Sequence, residues 1–307
     1  MINITHLLFC RDVISLLFDL SGNSKVFVKI FVDEKKKVNN RWNYIGELIV
    51  KENFENEIID FLKKTQNEEK IKEMKYEKVK INGGSYKVAM KWLDFLQDNF
   101  LNHSETEFFI NILGIDSQKL DYSRFGAKSE MDKYYNSYGR FFRTIIKSSW
   151  SHFFKNKDFK YVIRKVFHDT EGVLEHEQPY FKRQLKKAFE EDSTLLIEDM
   201  EIEFVNSNPT KEKVYKKYSY LIEFIDLILG VVSFSFDFEK IKPKKLKARN
   251  KMTFKLKGII QQICNKKAYN KNFDISFFPK RSYDENIPIE SFFFKRQPRL
   301  FEQQKLF

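Results

Sequence analysis

Hydrophobic positions along the chain change period several times, and each change predicts an element. Val26–Val32 (VFVKIFV) and Tyr44–Val50 (YIGELIV) are short runs rich in β-branched and aromatic residues, which predicts two strands. The polar stretch Lys35–Asn43 between them reads as a hairpin loop. Phe54, Ile58, Ile59, Phe61 and Leu62 then follow a helical period. Residues 65–80, which include KEMKYEK, read as a polar connector, and NGGS at 82–85 is the clearest break. Tyr86–Phe100 is an amphipathic helix, and Phe108–Ile115 (FFINILGI) a strand ending at Asp116. Met131–Phe154 spaces its aromatics helically, and Tyr161–Phe167 (YVIRKVF) is a strand that runs into His168–Asp169. A helix at Tyr180–Glu190, a strand at Met200–Val205 and a long helix at Glu212–Phe236 follow. A hairpin first, then strands alternating with helices, predicts an α/β layer protein with a mixed sheet.

Composition changes this picture at the C-terminal end. The 307 residues carry a formal charge of +12, but residues 240–273 alone hold twelve Lys or Arg and no Asp or Glu, while 274–307 net +1. Residues 1–239 therefore come to −1. Pro243 and this lysine run predict a boundary near 240, separating a domain over 1–239 from a basic, Phe-rich extension over 240–307. Within the extension FKLKGIIQQI reads as a helix, and FFPKR and FFFKR as aromatic–basic clusters. Lys244, Lys245, Lys247, Arg249, Lys251, Lys255 and Lys257 are the candidate phosphate-holding groups, because cations that neutralise phosphates release condensed counterions. Phe277, Phe278 and Phe292–Phe294 would stack bases, or dock a protein partner, or belong to the core.

Other classes fall away. Two cysteines, Cys10 and Cys264, make neither a disulfide framework nor a Cys-rich zinc site. No signal peptide is evident, and the longest apolar run, Leu227–Phe234, falls short of the ~20 residues of a spanning helix, so a cytoplasmic protein with no membrane partner is expected. No glycine stretch fits a P-loop or dinucleotide pattern, and no nucleophile elbow is present. His168, Asp169, Glu171, His176 and Glu177 cluster locally, but their spacing matches no zinc signature, which favours a loop and helix start.

Three carboxylates carry the remaining chemistry. Asp33 ends the first strand in KIFVDEKKK, Asp169 ends a later one, and Asp226 interrupts the apolar helix LIEFIDLILGVV. Buried among Phe224, Ile225 and Leu227, Asp226 would need a partner or a metal; alternatively it shares a water-facing stripe with Glu223. Converging carboxylates bind Mg²⁺ or Mn²⁺ through hard oxygen ligands, and such ions cleave phosphodiesters without an organic cofactor.

FVDE followed by YIGELIV, then KEMKYEK, then VNSN and YLIEFIDLILGVV resembles the bacterial domain-of-unknown-function 3800 proteins over residues ~25–236. The resemblance implies a ribonuclease H-like mixed sheet flanked by helices and a metal-dependent nuclease acting on DNA or RNA, often found near phage-defence and mobile-element genes. It makes Asp33 and Glu34 the opening Asp-Glu, Glu73 with Lys75 the Glu-x-Lys element, and Asp226 with Gly230 the late Asp and Gly. Asp169 fits the middle acidic position, for which Asp116 competes. On this reading Asp33, Glu34, Glu73, Asp169 and Asp226 are catalytic, with Asp33, Asp169 and Asp226 on the metal. The chain departs from the pattern at Lys35-Lys36 (Ser-Gly in the family), Glu223 (Gln) and Asn206 (Asp). Three lysines after the first carboxylates would repel a cation unless they reach out to phosphates. That keeps open a second expectation: an inactive nucleic-acid-binding or partner-binding subunit.

Overall fold

The computed structural model describes residues 25–38, 42–101, 107–121, 130–154, 160–170, 178–191, 195–236, 241–264 and 272–278. Its elements run β1 (Lys25–Val38), β2 (Trp42–Lys51), α1 (Glu55–Glu68), a 3-10 turn (Tyr76–Lys78), α2 (Gly84–Leu101), β3 (Phe108–Asp116) and α3 (Glu130–Ser149). A short π-helical turn, Trp150–Phe154, extends α3, and then come β4 (Lys160–Asp169), α4 (Gln178–Glu191), β5 (Ile202–Val205), α5 (Lys216–Phe236), α6 (Pro243–Cys264) and β6 (Phe273–Phe278). The six strands form one mixed sheet in the order β5-β4-β1-β2-β3-β6, in which β2 runs antiparallel to both of its neighbours and the other pairings are parallel.

Strand alternation sends side chains to two cores. Phe31, Leu48, Ile110 and Phe167 face α1, α2, α5 and α6; Ile30, Val32, Ile45 and Val166 face α3 and α4. Lys29, the polar interruption of the first strand, lies on the α5 face, where its ammonium donates to Glu55 at 2.5 Å and to Tyr218 Oη at 3.0 Å. The central helix α5 is buried on nearly all sides. By length and composition it is apolar enough to cross a membrane, and 89% of its most apolar stretch lies inside this core.

Two expectations require correction. The first strand does not stop at Val32: β1 continues through the lysine run because Asp33 to Lys35 still pair with Gly46 to Tyr44 of β2. Nor is 240 the start of an appendage. Pro243 opens α6 at its first helical position, where its fixed φ suits the helix and no N–H is missed. Ala248, Met252, Leu256, Ile259 and Ile260 of α6 join the same core as α5, and β6 closes the sheet beside β3. Phe277 is part of that closure, edge-on to Trp42 at 5.7 Å and to Phe236 at 5.0 Å. Phe292–Phe294 lie outside the described residues.

One buried polar cluster sits under α3. Glu47 of β2 accepts from Ser149, which also receives a 2.7 Å hydrogen bond from Asn111 of β3. Glu47 is fully buried, and desolvation pushes its carboxyl up from 4.5 to about 7, with the Ser149 hydroxyl opposing. A carboxyl raised on folding contributes stability that is present below 4.5 and lost as the pH passes through about 7. That gap corresponds to roughly 3 kcal/mol at 1.36 kcal/mol per pH unit. Glu47→Gln should therefore reduce the difference in urea-unfolding free energy between pH 5 and pH 8 by up to that amount. An unchanged difference would mean that folding does not raise the Glu47 carboxyl.

Candidate functional site

Where the β1–β4 ladder ends, Phe31, Asp33 and Lys35 of β1 share the face that looks toward α5. Phe31 stacks on Phe167 of β4 at 5.1 Å, nearly parallel. The parallel β1–β4 ladder ends at Val32 opposite His168, so Asp169, two residues beyond Phe167, arrives beside Asp33 on the same face. Across the other edge Asp33 pairs with Gly46. A Cβ on Gly46 would stand 3.1 Å from Ile225 and 3.2 Å from Leu229, so its absence lets α5 lie close to the sheet there. Asp226 is the residue after Ile225. Between Tyr218 and Phe236 every residue of α5 except Asp226 and Ser235 is buried.

Asp169 and Asp226 both act on Asp33. Burial pushes Asp33, itself 5% exposed, well above the usual range; the charges of Asp169 and Asp226 push it further, and the Glu34 N–H at 2.7 Å opposes them. Burial also raises Asp226, against the Tyr76 N–H and the Lys35 ammonium. Like charges crowded in a poorly solvated place are what a divalent cation would relieve.

The segment 73–78, which reads in the sequence as a connector, is clamped onto α5 at this point. Asp226 Oδ2 accepts from the Tyr76 N–H at 2.9 Å, and Glu223 Oε1 from the Met74 N–H at 2.7 Å, while Gln66 donates to the other Glu223 oxygen. Glu223 is fully buried, so it shares no water-facing stripe with Asp226; burial raises its carboxyl well above the usual range, with the Met74 and Gln66 bonds opposing. The Tyr76 ring fills the notch left by Gly230, where a Cβ would come within 2.7 Å of Cδ2 and overlap Cγ and Cδ1. Two cations lie over that ring: Lys35 Nζ and the Arg249 guanidinium, each 4.6 Å from its centroid. Lys35 thus reaches inward and lies within electrostatic range of Asp226. The side chains of Lys36 and Lys37 lie outside the described residues.

The remaining predicted residues separate. Glu34 lies on the opposite face, lining a small pocket with Asn43, Ile45, Tyr138 and Phe141. Glu73 turns to Lys75 at 3.6 Å and to Lys78; burial pushes its carboxyl up, but these lysines outweigh it and hold it below the usual range. The acidic residue of that segment that acts on Asp226 is instead the exposed Glu77, which the spacing of the motif concealed. Asp116 ends β3, two strands from β1 and so roughly 10 Å away, and caps its own turn through the Gln118 N–H at 3.2 Å. His168 is fully buried on the α3 face, with its Nε2 2.9 Å from Tyr138 Oη and its Nδ1 2.7 Å from the Asp169 carbonyl. Glu171, His176 and Glu177 lie outside the described residues. Of the basic residues of α6, Lys244, Lys247 and Lys251 are exposed, and Lys245 and Lys257 are half-buried. Lys255 pairs with Asp94, and Arg249 is 3% exposed inside the core, which removes it from any phosphate-facing surface.

Among the described residues no three Asp, Glu, His or Cys side chains form a ready cage for one ion. The donor set nevertheless fits Mg²⁺ or Mn²⁺ in the open manner usual for Mg²⁺, which takes one or two carboxylates, several waters and substrate phosphate oxygens. Asp33 and Asp226 are the pair placed to supply those carboxylates, with Asp169 adjoining. Comparison with protein-family models gives no match, and comparison with curated proteins gives none either.

Proposed function

We propose that the protein is a divalent-metal-dependent nuclease of ribonuclease H-like architecture that cleaves phosphodiester bonds of DNA or RNA. The observation that carries the reading is the arrangement of Asp33 and Asp169 on neighbouring parallel strands with Asp226 on the helix that packs against them, near enough for both to act on the Asp33 carboxyl. Its position supports the reading too, because the parallel β1–β4 ladder ends here and sites in open α/β sheets gather beyond the carboxyl ends of parallel strands. So do Gly46 and Gly230, the latter the late Gly of the resemblance: each has a physical task, one admitting α5 and the other seating Tyr76. Mg²⁺ or Mn²⁺, when bound, activates water and stabilises the leaving oxygen. The chain's own residues do the rest. Asp33 and Asp226 would hold the ion, Asp169 would add negative charge beside them, and the Tyr76 N–H fixes the orientation of Asp226. The resemblance to the domain-of-unknown-function 3800 proteins points the same way, and a defence role follows from it alone.

Wild type should cleave single- or double-stranded DNA or RNA with Mg²⁺ or Mn²⁺ and not with EDTA. Asp33→Asn should reduce cleavage by about a thousandfold or more, the scale on which charge-stabilising groups act. Cleavage that persists in EDTA or in Asp33→Asn sinks the proposal.

One observation favours the second reading, a binding subunit without catalysis. The Lys35 ammonium stands over Tyr76 beside Asp226, an internal cation where a metal would be drawn. If Lys35 silences the site, wild type binds nucleic acid without cutting it, and Lys35→Ser gains metal-dependent cleavage.

A further inference from the structure

The clamped segment continues past the carboxylates into a groove. Its lining is Lys78, Lys80, Ile241, Lys242 and Lys245, four cations and one apolar residue contributed by two chain segments far apart in sequence. Both walls are held by backbone. The Ile81 N–H bonds the Lys244 carbonyl at 3.2 Å, and the Lys242 carbonyl accepts from the N–H groups of Lys245 at 3.0 Å and Leu246 at 2.9 Å. Lys78 is engaged with Glu73 yet 61% exposed, and among the described residues no acid pairs with Lys80, Lys242 or Lys245.

This gathering is unfavourable for the protein alone. Two of the lysines, Lys242 and Lys245, stand just before and within the first turn of α6, which contains no acid, so they add to the partial positive charge of the helix terminus. A polyanion removes the repulsion and releases counterions as it does so. The groove also points somewhere. Lys242, Lys245 and Arg249 recur at helical spacing on one side of α6, and Arg249 ends over the Tyr76 ring, whose backbone N–H holds Asp226. On the other wall Lys78 is two residues from Tyr76.

We infer that this groove binds the phosphodiester backbone of a nucleic-acid strand and leads it to the Asp33–Asp226 carboxylates. Lys80, Lys242 and Lys245 are the principal phosphate contacts. The destination rests on the nuclease reading; the binding does not. It is also a different surface from the exposed lysines 244, 247 and 251, which face away along α6.

Binding of labelled single-stranded DNA and RNA, followed by fluorescence anisotropy in EDTA, tests the inference without any cleavage. The variant Lys80→Gln/Lys242→Gln/Lys245→Gln should weaken binding at least about tenfold at ~0.1 M salt. It should also flatten the slope of log K against log salt by about 2, the value for three lost phosphate contacts on a single strand. The control Lys63→Gln/Lys64→Gln/Lys213→Gln removes the same charge from exposed sites elsewhere and should stay within about twofold of wild type. Equal weakening in the two variants, or no salt-dependent binding by wild type, overturns the groove. A wild type that binds through these lysines but cleaves nothing with Mg²⁺ or Mn²⁺ keeps the groove and overturns the nuclease reading instead.

Discussion

Gly230→Ala should destabilise the protein by about 2–4 kcal/mol, although alanine is the better helix former. On propensity alone the change would stabilise α5 by roughly 1 kcal/mol. Packing reverses the sign, because the added methyl would occupy the space of Cγ and Cδ1 of Tyr76. The neighbour is a ring on a clamped segment, fully buried and held by the bond from its own N–H to Asp226. It cannot turn aside as a flexible chain end would. Overpacking of this kind costs about 1–3 kcal/mol, and expelling the ring adds the loss of its burial, roughly 2–3 kcal/mol. Against a total stability of the usual ~5–15 kcal/mol this is a large fraction. The sharper measurement is a double-mutant cycle in urea. Tyr76→Ala leaves a cavity and is itself costly, but in Tyr76→Ala/Gly230→Ala the methyl has room, so the pair should cost at least ~1.5 kcal/mol less than the sum. Additive effects would show that the Tyr76 ring does not occupy the notch. Gly230→Ala should also lower any metal-dependent cleavage, because the segment it unseats orients Asp226.

How much of this was legible depended on the range of the interaction. β1 and β2 follow from local alternation, and Asp33 and Asp226 stand out because each interrupts an apolar pattern. Glu223 was misread as a candidate for water because its partners, Met74 and Gln66, lie 149 and 157 residues away, and no local pattern announces them. The same distance hid the clamp: KEMKYEK contains the polar and charged residues of a linker, and only its docking on α5 makes Tyr76 a core residue. Glu73 matches the Glu-x-Lys element by spacing, whereas the 3-10 turn at Tyr76–Lys78 leaves Glu77 acting on Asp226 and Glu73 with Lys75 and Lys78. The lysine run disguised α6 as a tail. Its apolar positions, Ala248, Met252, Leu256 and Ile259, do recur at helical spacing once the charges between them are set aside. β6 was concealed for a different reason: FDISFF alternates weakly, and its membership of the sheet is decided by β3.

Asp226 has two tasks, and substitutions should separate them. One of its oxygens, Oδ2, accepts the Tyr76 N–H at 2.9 Å and so fastens the clamped segment; the proposed ligand role needs the negative charge as well. Asn keeps a side-chain oxygen able to accept that N–H but replaces the carboxylate with a neutral amide, a poorer partner for a hard cation. Asp226→Asn should therefore fold with a urea midpoint close to wild type while losing about a thousandfold or more of its cleavage. Asp226→Ala should lose cleavage to the same degree and, in addition, about 1–3 kcal/mol of stability, because the Tyr76 N–H is left without its acceptor in a poorly solvated place. Metal binding supplies a second readout that needs no substrate. Mg²⁺ or Mn²⁺ that binds only the folded protein raises the thermal midpoint with concentration, and a hundredfold excess over Kd is worth about 2.7 kcal/mol. That stabilisation should disappear in both variants. Cleavage by Asp226→Asn within about tenfold of wild type would remove Asp226 from the metal. If instead Asp226→Ala keeps the wild-type urea midpoint, the hydrogen bond is not what fastens the segment, and the ring of Tyr76 in the Gly230 notch must hold it without help.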